Sequence, residues 1–154
     1  GHPEWIDFPR EGNGWSFHYC RRQWSLKDNG FLKYQWLNDF DHDMVHTCKN
    51  HKIFWQQMAN LMLMKAPEQT LCFARMDLFF VFNFHPSNSL QNVLVPVYSN
   101  SKEFVVEFTS DDEKYGGYNQ IAHQVYPVKE FNGQRFVELY IPARTAIVLR
   151  EIKE

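Results

Sequence analysis

Leu78-Phe79-Phe80-Val81-Phe82-Asn83-Phe84 is the stretch that most constrains this chain. It is bounded by Asp77 on one side and by His85-Pro86-Ser87-Asn88 on the other. It is too short for a helix and rich in the aromatic and β-branched side chains that suit a pleated sheet. It reads as a strand buried on both faces. Around it, Leu61 to Lys65 and Thr70 to Met76 flank Ala66-Pro67-Glu68-Gln69, whose proline suits the second position of a turn, and this segment reads as a hairpin. Lys102 to Thr109 alternates Phe104, Val106 and Phe108 against Val105, Glu107 and Thr109, and Arg135 to Ile141 alternates Val137, Leu139 and Ile141 against Phe136, Glu138 and Tyr140. Pro142 ends that strand, and Thr145 to Leu149 supplies a last one before a charged tail, Arg150 to Glu154. Short strands with no helical pattern between them predict a mainly β unit, an antiparallel sandwich or barrel, over about residues 59–154.

The first part of the chain is different. Residues 1–24 hold Gly, Pro, charge and large aromatics (Trp5, Phe8, Trp15, Phe17, Tyr19) without a sustained period, and read as an ordered loop. Ser25 to Asp28 fits a helix-start signal, and Leu32, Trp36, Phe40 and Met44 recur at i+4, so a helix is expected over about 26–44. A weaker apolar face (Cys48, Ile53, Phe54, Met58) predicts a second helix over about 46–58. Two helices followed by a complete sandwich fit the end of one domain, 1–58, joined to the whole of the next, 59–154. The chain opens on Gly1 rather than Met, with no preparatory polar arm, and reads as a piece cut from something longer.

Composition excludes several classes of function. With 16 Lys and Arg against 18 Asp and Glu, the formal charge of −2 leaves no electrostatic footprint for nucleic acid or an anionic membrane. No apolar run approaches a membrane span, and no leader is legible at the N-terminus. Cys20, Cys48 and Cys72 are odd in number and widely spaced, which reads as free thiols in a reducing compartment, with the cytosol as the default. The excess is in aromatics: 14 Phe, 7 Tyr and 5 Trp make 17% of the chain, and they require either a core or a binding surface.

Few residues offer chemistry. His42 and His46 stand at i and i+4 with Asp43 between them, the spacing of a helical zinc site, and His51 is the nearest third imidazole. Asp43 is a methylene shorter than the Glu such sites use, so the segment reads as a polar helix face with Asp39, Asp41 and Asp43 solvated, and no metal is expected. His85 and His123 sit in turn contexts, satisfied by water or backbone. Asp111-Asp112-Glu113 ahead of Tyr115-Gly116-Gly117-Tyr118 reads as a solvated turn. No serine elbow, cysteine nucleophile or Gly-rich phosphate loop is present. Trp5, Trp15 and Trp24 remain: an indole in a loop either stacks on the C–H face of a sugar or packs onto the following helices.

The opening Gly1-His2-Pro3-Glu4-Trp5-Ile6-Asp7-Phe8-Pro9-Arg10 resembles a segment of the 1,4-α-glucan (glycogen or starch) branching enzymes of the α-amylase superfamily. The similarity continues through Tyr19 to Trp24, Leu37 to Met44, Leu78 to Pro86, Tyr115-Gly116-Gly117 and Leu139 to Arg144. One position departs: the family pattern has Arg where this chain has His42. The resemblance implies a (β/α)8 barrel whose catalytic carboxylates all lie before Gly1. Residues 1–58 would then be the last barrel loop and closing helices, and 59–154 the C-terminal β-sandwich. It implies retaining transglycosylation that makes α-1,6 branches, with no catalytic residue and no cofactor in this chain. His2, Glu4 and Trp5, with Trp15, are the expected glucan contacts; glucan and the barrel are the expected partners. Aromatics that would face that barrel predict self-association. The alternatives are an independent carbohydrate-binding sandwich and a zinc hydrolase built on His42 and His46.

Overall fold

The apolar run that dominates the sequence forms β3 (Leu78–Asn83), the third strand of a sheet of eight. A computed structural model describes residues 6–20, 23–55 and 58–153. In chain order the other strands are β1 (Asn60–Lys65), β2 (Thr70–Arg75), β4 (Leu90–Pro96), β5 (Glu103–Thr109), β6 (Val125–Phe131), β7 (Gln134–Ile141) and β8 (Thr145–Ile152). All pairings are antiparallel, in the order β1-β2-β3-β8-β5-β6-β7-β4. The expected mainly β, antiparallel class is the one observed.

A single strand turns this sheet into two layers. β6 pairs with β5 through Val125, Tyr126 and Pro127, then with β7 from Val128 to Phe131. Pro127, which has no N–H to give a ladder, stands at the switch. β1 also approaches β4, so the layers meet at a second margin. Between them lies one core in which Val81, Phe104, Val137 and Ile141 are fully buried. Phe79 and Phe104 meet edge to face with ring centroids 4.8 Å apart, the arrangement that the aromatic quadrupole favours.

Alternation decides which side chains enter that core. On β7, Val137, Leu139 and Ile141 point inward as the sequence pattern requires. On β5 the pattern is interrupted: the register against β8 jumps between Val106 and Phe108, so Glu107 is an extra residue. Phe104 is therefore in the inner core, while Phe108, buried and paired with Val148, lies on the outer face. The outer face of β2 and β3 carries a stack of rings, with Phe73–Phe80 at 4.8 Å, Phe73–Phe82 at 5.8 Å and Phe82–Phe84 at 5.4 Å. β8 runs on to Ile152, beyond the expected end at Leu149, because β5 continues to pair with it as far as Glu103.

The helical part differs in its boundaries. One helix, α1 (Tyr34–Asn50), replaces the expected pair at 26–44 and 46–58. Residues Trp24–Asp28 form a 3-10 turn that stops at Asn29, whose backbone is extended, beside Gly30. No breaker separates Met44 from His46, so the helix runs through to Asn50. It ends where Lys52 takes a left-handed conformation (φ 53°), and Ile53–Trp55 form another 3-10 turn.

The chain divides into two units, 1–42 and 43–154. The second contains the sandwich and its core. In the first, none of the described residues is buried. Phe8, Trp15, Phe17, Trp24 and Phe31 are all largely exposed, Phe31 almost completely.

Candidate functional site

Trp15 is positioned by a polar clamp built from the preceding turn. Asp7 accepts both Nε (3.0 Å) and Nη2 (3.2 Å) of Arg10, and its Oδ2 also accepts the Asn13 side-chain amide at 3.1 Å. The Asn13 side-chain oxygen takes the Arg10 N–H at 2.9 Å, and the Asp7 N–H reaches back to the Tyr19 carbonyl at 3.0 Å. The Arg10 guanidinium holds the Asp7 carboxyl below the usual carboxylate range. The Trp15 N–H donates to the Arg10 carbonyl at 3.0 Å, and its backbone is left-handed (φ 58°). This geometry is uncommon for a bulky residue, and a strained residue that its surroundings hold in place is a functional candidate. The indole is 66% exposed, so it is not packed onto a helix within the described residues. In the same unit, Ile6, Phe8, Tyr19 and Trp24 line an open cleft of about 920 Å³, of which Trp15 is not a wall. His2, Glu4 and Trp5, the other expected contacts, lie outside the described residues. Asp7, Arg10 and Asn13 were not singled out from sequence as a positioning network, although their i, i+3, i+6 spacing around Pro9 and Gly12 is its visible trace.

The histidines and acids have structural partners. His51 places Nδ1 2.9 Å from Asp77 Oδ2 and Nε2 3.2 Å from Glu107 Oε1, fastening the segment after α1 over the outer face of the sandwich. Glu107 also accepts Arg150 Nε at 2.8 Å. Partial burial pushes its carboxyl up, but Arg150 and His51 together outweigh burial and hold it below the usual range. His123 Nε2 lies 2.7 Å from Asp112 Oδ1. His85 Nδ1 accepts two turn amides, Ser87 N–H at 3.2 Å and Asn88 N–H at 2.8 Å, so its proton sits on Nε2. Asp43 is not part of a solvated helix face: it accepts the Tyr115 hydroxyl at 2.6 Å and pairs with Lys114 at 3.0 Å. Burial, then the Asp43 carboxylate, push the Tyr115 hydroxyl up to about 12. His42 and His46 both lie on α1, and among the described residues no three His, Cys, Asp or Glu gather to hold a metal.

Asp111 overturns the reading of its acidic run as a solvated turn. It is buried, 4% exposed. Its carboxylate accepts the N–H groups of Tyr118 (3.3 Å), Ile121 (2.9 Å) and Gln120. A buried charge needs that compensation. Gly117 lies so close to the Asp111 backbone carbonyl that a Cβ there would collide with it. Loop 111–121 is thus wound around one carboxylate. The signal was present in Tyr115-Gly116-Gly117, since adjacent glycines beside an acid mark a close backbone approach as readily as an exposed turn.

Residues 63–151 match the family described as alpha amylase, C-terminal all-beta domain. The chain is 40% identical over 154 residues to a 1,4-alpha-glucan-branching enzyme of Yarrowia lipolytica, 39% over 153 to that of Saccharomyces cerevisiae and 36% over 158 to that of Equus caballus. These alignments cover 96%, 97% and 99% of this chain but 22% of each relative. The match carries the strand-rich part from β1 to β8, including the Asp111 loop and the β6 switch, and the chain belongs to the alpha-amylase C-terminal all-β domain family.

Proposed function

We propose that this chain is the C-terminal part of a 1,4-α-glucan branching enzyme, in which residues 1–58 complete a catalytic barrel and 59–154 form a sandwich that stabilises it. The carrying observation is the contrast between the two units. The second has a closed apolar core, whereas the first exposes Phe8, Trp15, Phe17, Trp24 and Phe31 and buries none of its described residues. Burying one such ring stabilises a fold by about 2–3 kcal/mol, so a unit with five of them exposed lacks the surface it was shaped against. The relatives extend over nearly five times the matched length, which supplies one. An independent carbohydrate-binding module has no use for such a unit.

In this reading the catalytic carboxylates belong to the rest of the protein, and this chain alone turns nothing over. Trp15 contacts the α-glucan through its exposed indole, held by the Asp7–Arg10–Asn13 clamp; His2, Glu4 and Trp5 are proposed as companions from the resemblance. The three free thiols fit a reducing compartment, and we place the parent protein in the cytosol. The test is the coding sequence ahead of Gly1 together with the activity of its product. An open frame long enough to encode a barrel, whose product forms α-1,6 branches in amylose, supports the reading. A start codon directly before Gly1, or a longer product that leaves amylose unbranched, overturns it.

A further inference from the structure

We infer that Asn132, at the tip of the β6–β7 hairpin, is a modification site: it deamidates spontaneously to isoaspartate and so ages the sandwich near the strand that joins its two layers. The reaction needs no enzyme. The backbone nitrogen of the following residue loses its proton and attacks the side-chain carbonyl carbon of the asparagine. A C–N bond forms, the bond to the side-chain amide nitrogen breaks, and ammonia leaves. Water then opens the resulting succinimide at one of its two carbonyls, giving aspartate or, with the main chain rerouted through the side chain, isoaspartate. Water is consumed, ammonia is released, and nothing is oxidised or reduced. A following glycine offers the least hindered nitrogen, because it carries no Cβ.

Asn-Gly pairs stand at 13–14, 29–30 and 132–133, and the fold treats them differently. Asn13 is pinned at both ends of its amide. Its nitrogen donates to Asp7 Oδ2 at 3.1 Å and the Phe8 carbonyl at 3.0 Å, and its oxygen accepts the Arg10 and Ser16 N–H groups at 2.9 and 3.3 Å. The attacking nitrogen is engaged as well, since the Gly14 N–H donates to the Glu11 carbonyl at 3.1 Å. Asn29 is held at one point, where its oxygen accepts the Phe31 N–H at 3.0 Å. The Asn132 side chain is exposed and makes no hydrogen bond with any described residue, and the space around Gly133 is open.

The hairpin explains both the freedom and the damage. β6 ends at Phe131 and β7 begins at Gln134, and these two residues pair, so the loop is Asn132-Gly133 alone. Both loop residues are left-handed, at φ 50° and φ 72°, the type I′ geometry that matches the twist of the strands. Ring closure requires Asn132 to leave that geometry. Only the tip has to open for this, and Phe131 through Gln134 are all exposed; exposed ends of elements open at little cost. Isoaspartate then adds a methylene to the main chain of a loop whose length sets the strand register. The strain is close to the layer switch, because β6 pairs with β7 only from Val128 to Phe131 after leaving β5.

The experiment ages the chain in warm neutral buffer for several weeks, with a parallel sample in urea. Peptides spanning each Asn-Gly pair are quantified by the mass gain of an amide-to-acid exchange. Isoaspartate is counted by methyl transfer from S-adenosylmethionine with an isoaspartate-specific carboxyl methyltransferase as the probe. In the folded chain Asn132 should convert at least about tenfold faster than Asn13, whose bonds must break first, with Asn29 between them. In urea the three should react at similar rates. Asn132→Gly, which keeps a type I′ loop, should hold its urea midpoint through ageing while the parent sequence loses part of its own. Asn132 left intact in the folded chain, Asn13 or Asn29 reacting ahead of it, or equal midpoints of the aged parent sequence and aged Asn132→Gly would each overturn the inference.

Discussion

Asn83 shows what a single residue contributes. In the sequence it is the one polar interruption of an apolar run; in the structure it is 1% exposed at the end of β3. Its side-chain amide donates to the Asn88 carbonyl (2.8 Å) and the Ile141 carbonyl (3.2 Å), and its oxygen takes the His85 N–H at 2.9 Å. One side chain therefore ties β3, the following turn and the end of β7. Asn83→Ala removes the partner of one buried and two part-buried backbone groups and should cost about 2–4 kcal/mol, read as a fall in the urea midpoint with an unchanged slope. A loss of less than about 1 kcal/mol would mean that water replaces all three bonds. Apolar positions were legible in the sequence, but the roles of Asn83 and Asp111 were not. The partners that make a buried polar group affordable lie far along the chain, Ile141 at 58 residues' separation from Asn83, and no local pattern records them.

At the scale of elements, what could be read followed from regular alternation. β3, β5, β7 and the β1–β2 hairpin stand where their patterns put them. β4 and β6 were not individually legible because each breaks the period of two: Asn92 is left-handed within a register shift in β4 (φ 52°), and Pro127 marks the change of partner in β6. The bulge at Glu107 was also hidden, and it has a consequence. It brings the carboxylate to the outer face beside Arg150 and His51, where its acidity is strengthened relative to the unfolded chain. A carboxyl lowered on folding contributes stability that is present above its unfolded pKa and is lost as pH falls through the lower folded value. Stability of the sandwich should therefore decline below about pH 5, and Glu107→Gln should flatten that decline while lowering stability near neutrality. Identical pH profiles of the two proteins, followed by urea unfolding, would exclude the carboxylate as a contributor.

For the whole molecule, the division of the 26 aromatics between two units matters more than their number. In the second unit Phe79 and Phe104 lie in the core and Phe73, Phe80, Phe82 and Phe84 stack along β2 and β3, whereas in residues 6–42 no aromatic is buried and Phe8, Trp15, Phe17, Trp24 and Phe31 are largely exposed. An exposed apolar surface of that extent drives association, so light scattering of the isolated chain should show an apparent mass that rises with concentration, and polar replacement of Phe31 with Trp24 should reduce it. A monomer at every concentration would mean that the first unit covers its own rings in solution. The family of the sandwich could be anticipated from short motifs spread along the chain. Of the expected glucan contacts, Trp15 is largely exposed, while His2, Glu4 and Trp5 lie outside the described residues. The central claim is that this chain supports a catalytic apparatus located elsewhere in its parent protein. The most direct measurement is iodine-monitored branching and hydrolysis of amylose by the purified 154-residue chain beside the complete gene product: the complete protein should form α-1,6 branches and the isolated chain should do nothing, whereas turnover by the isolated chain would contradict the account.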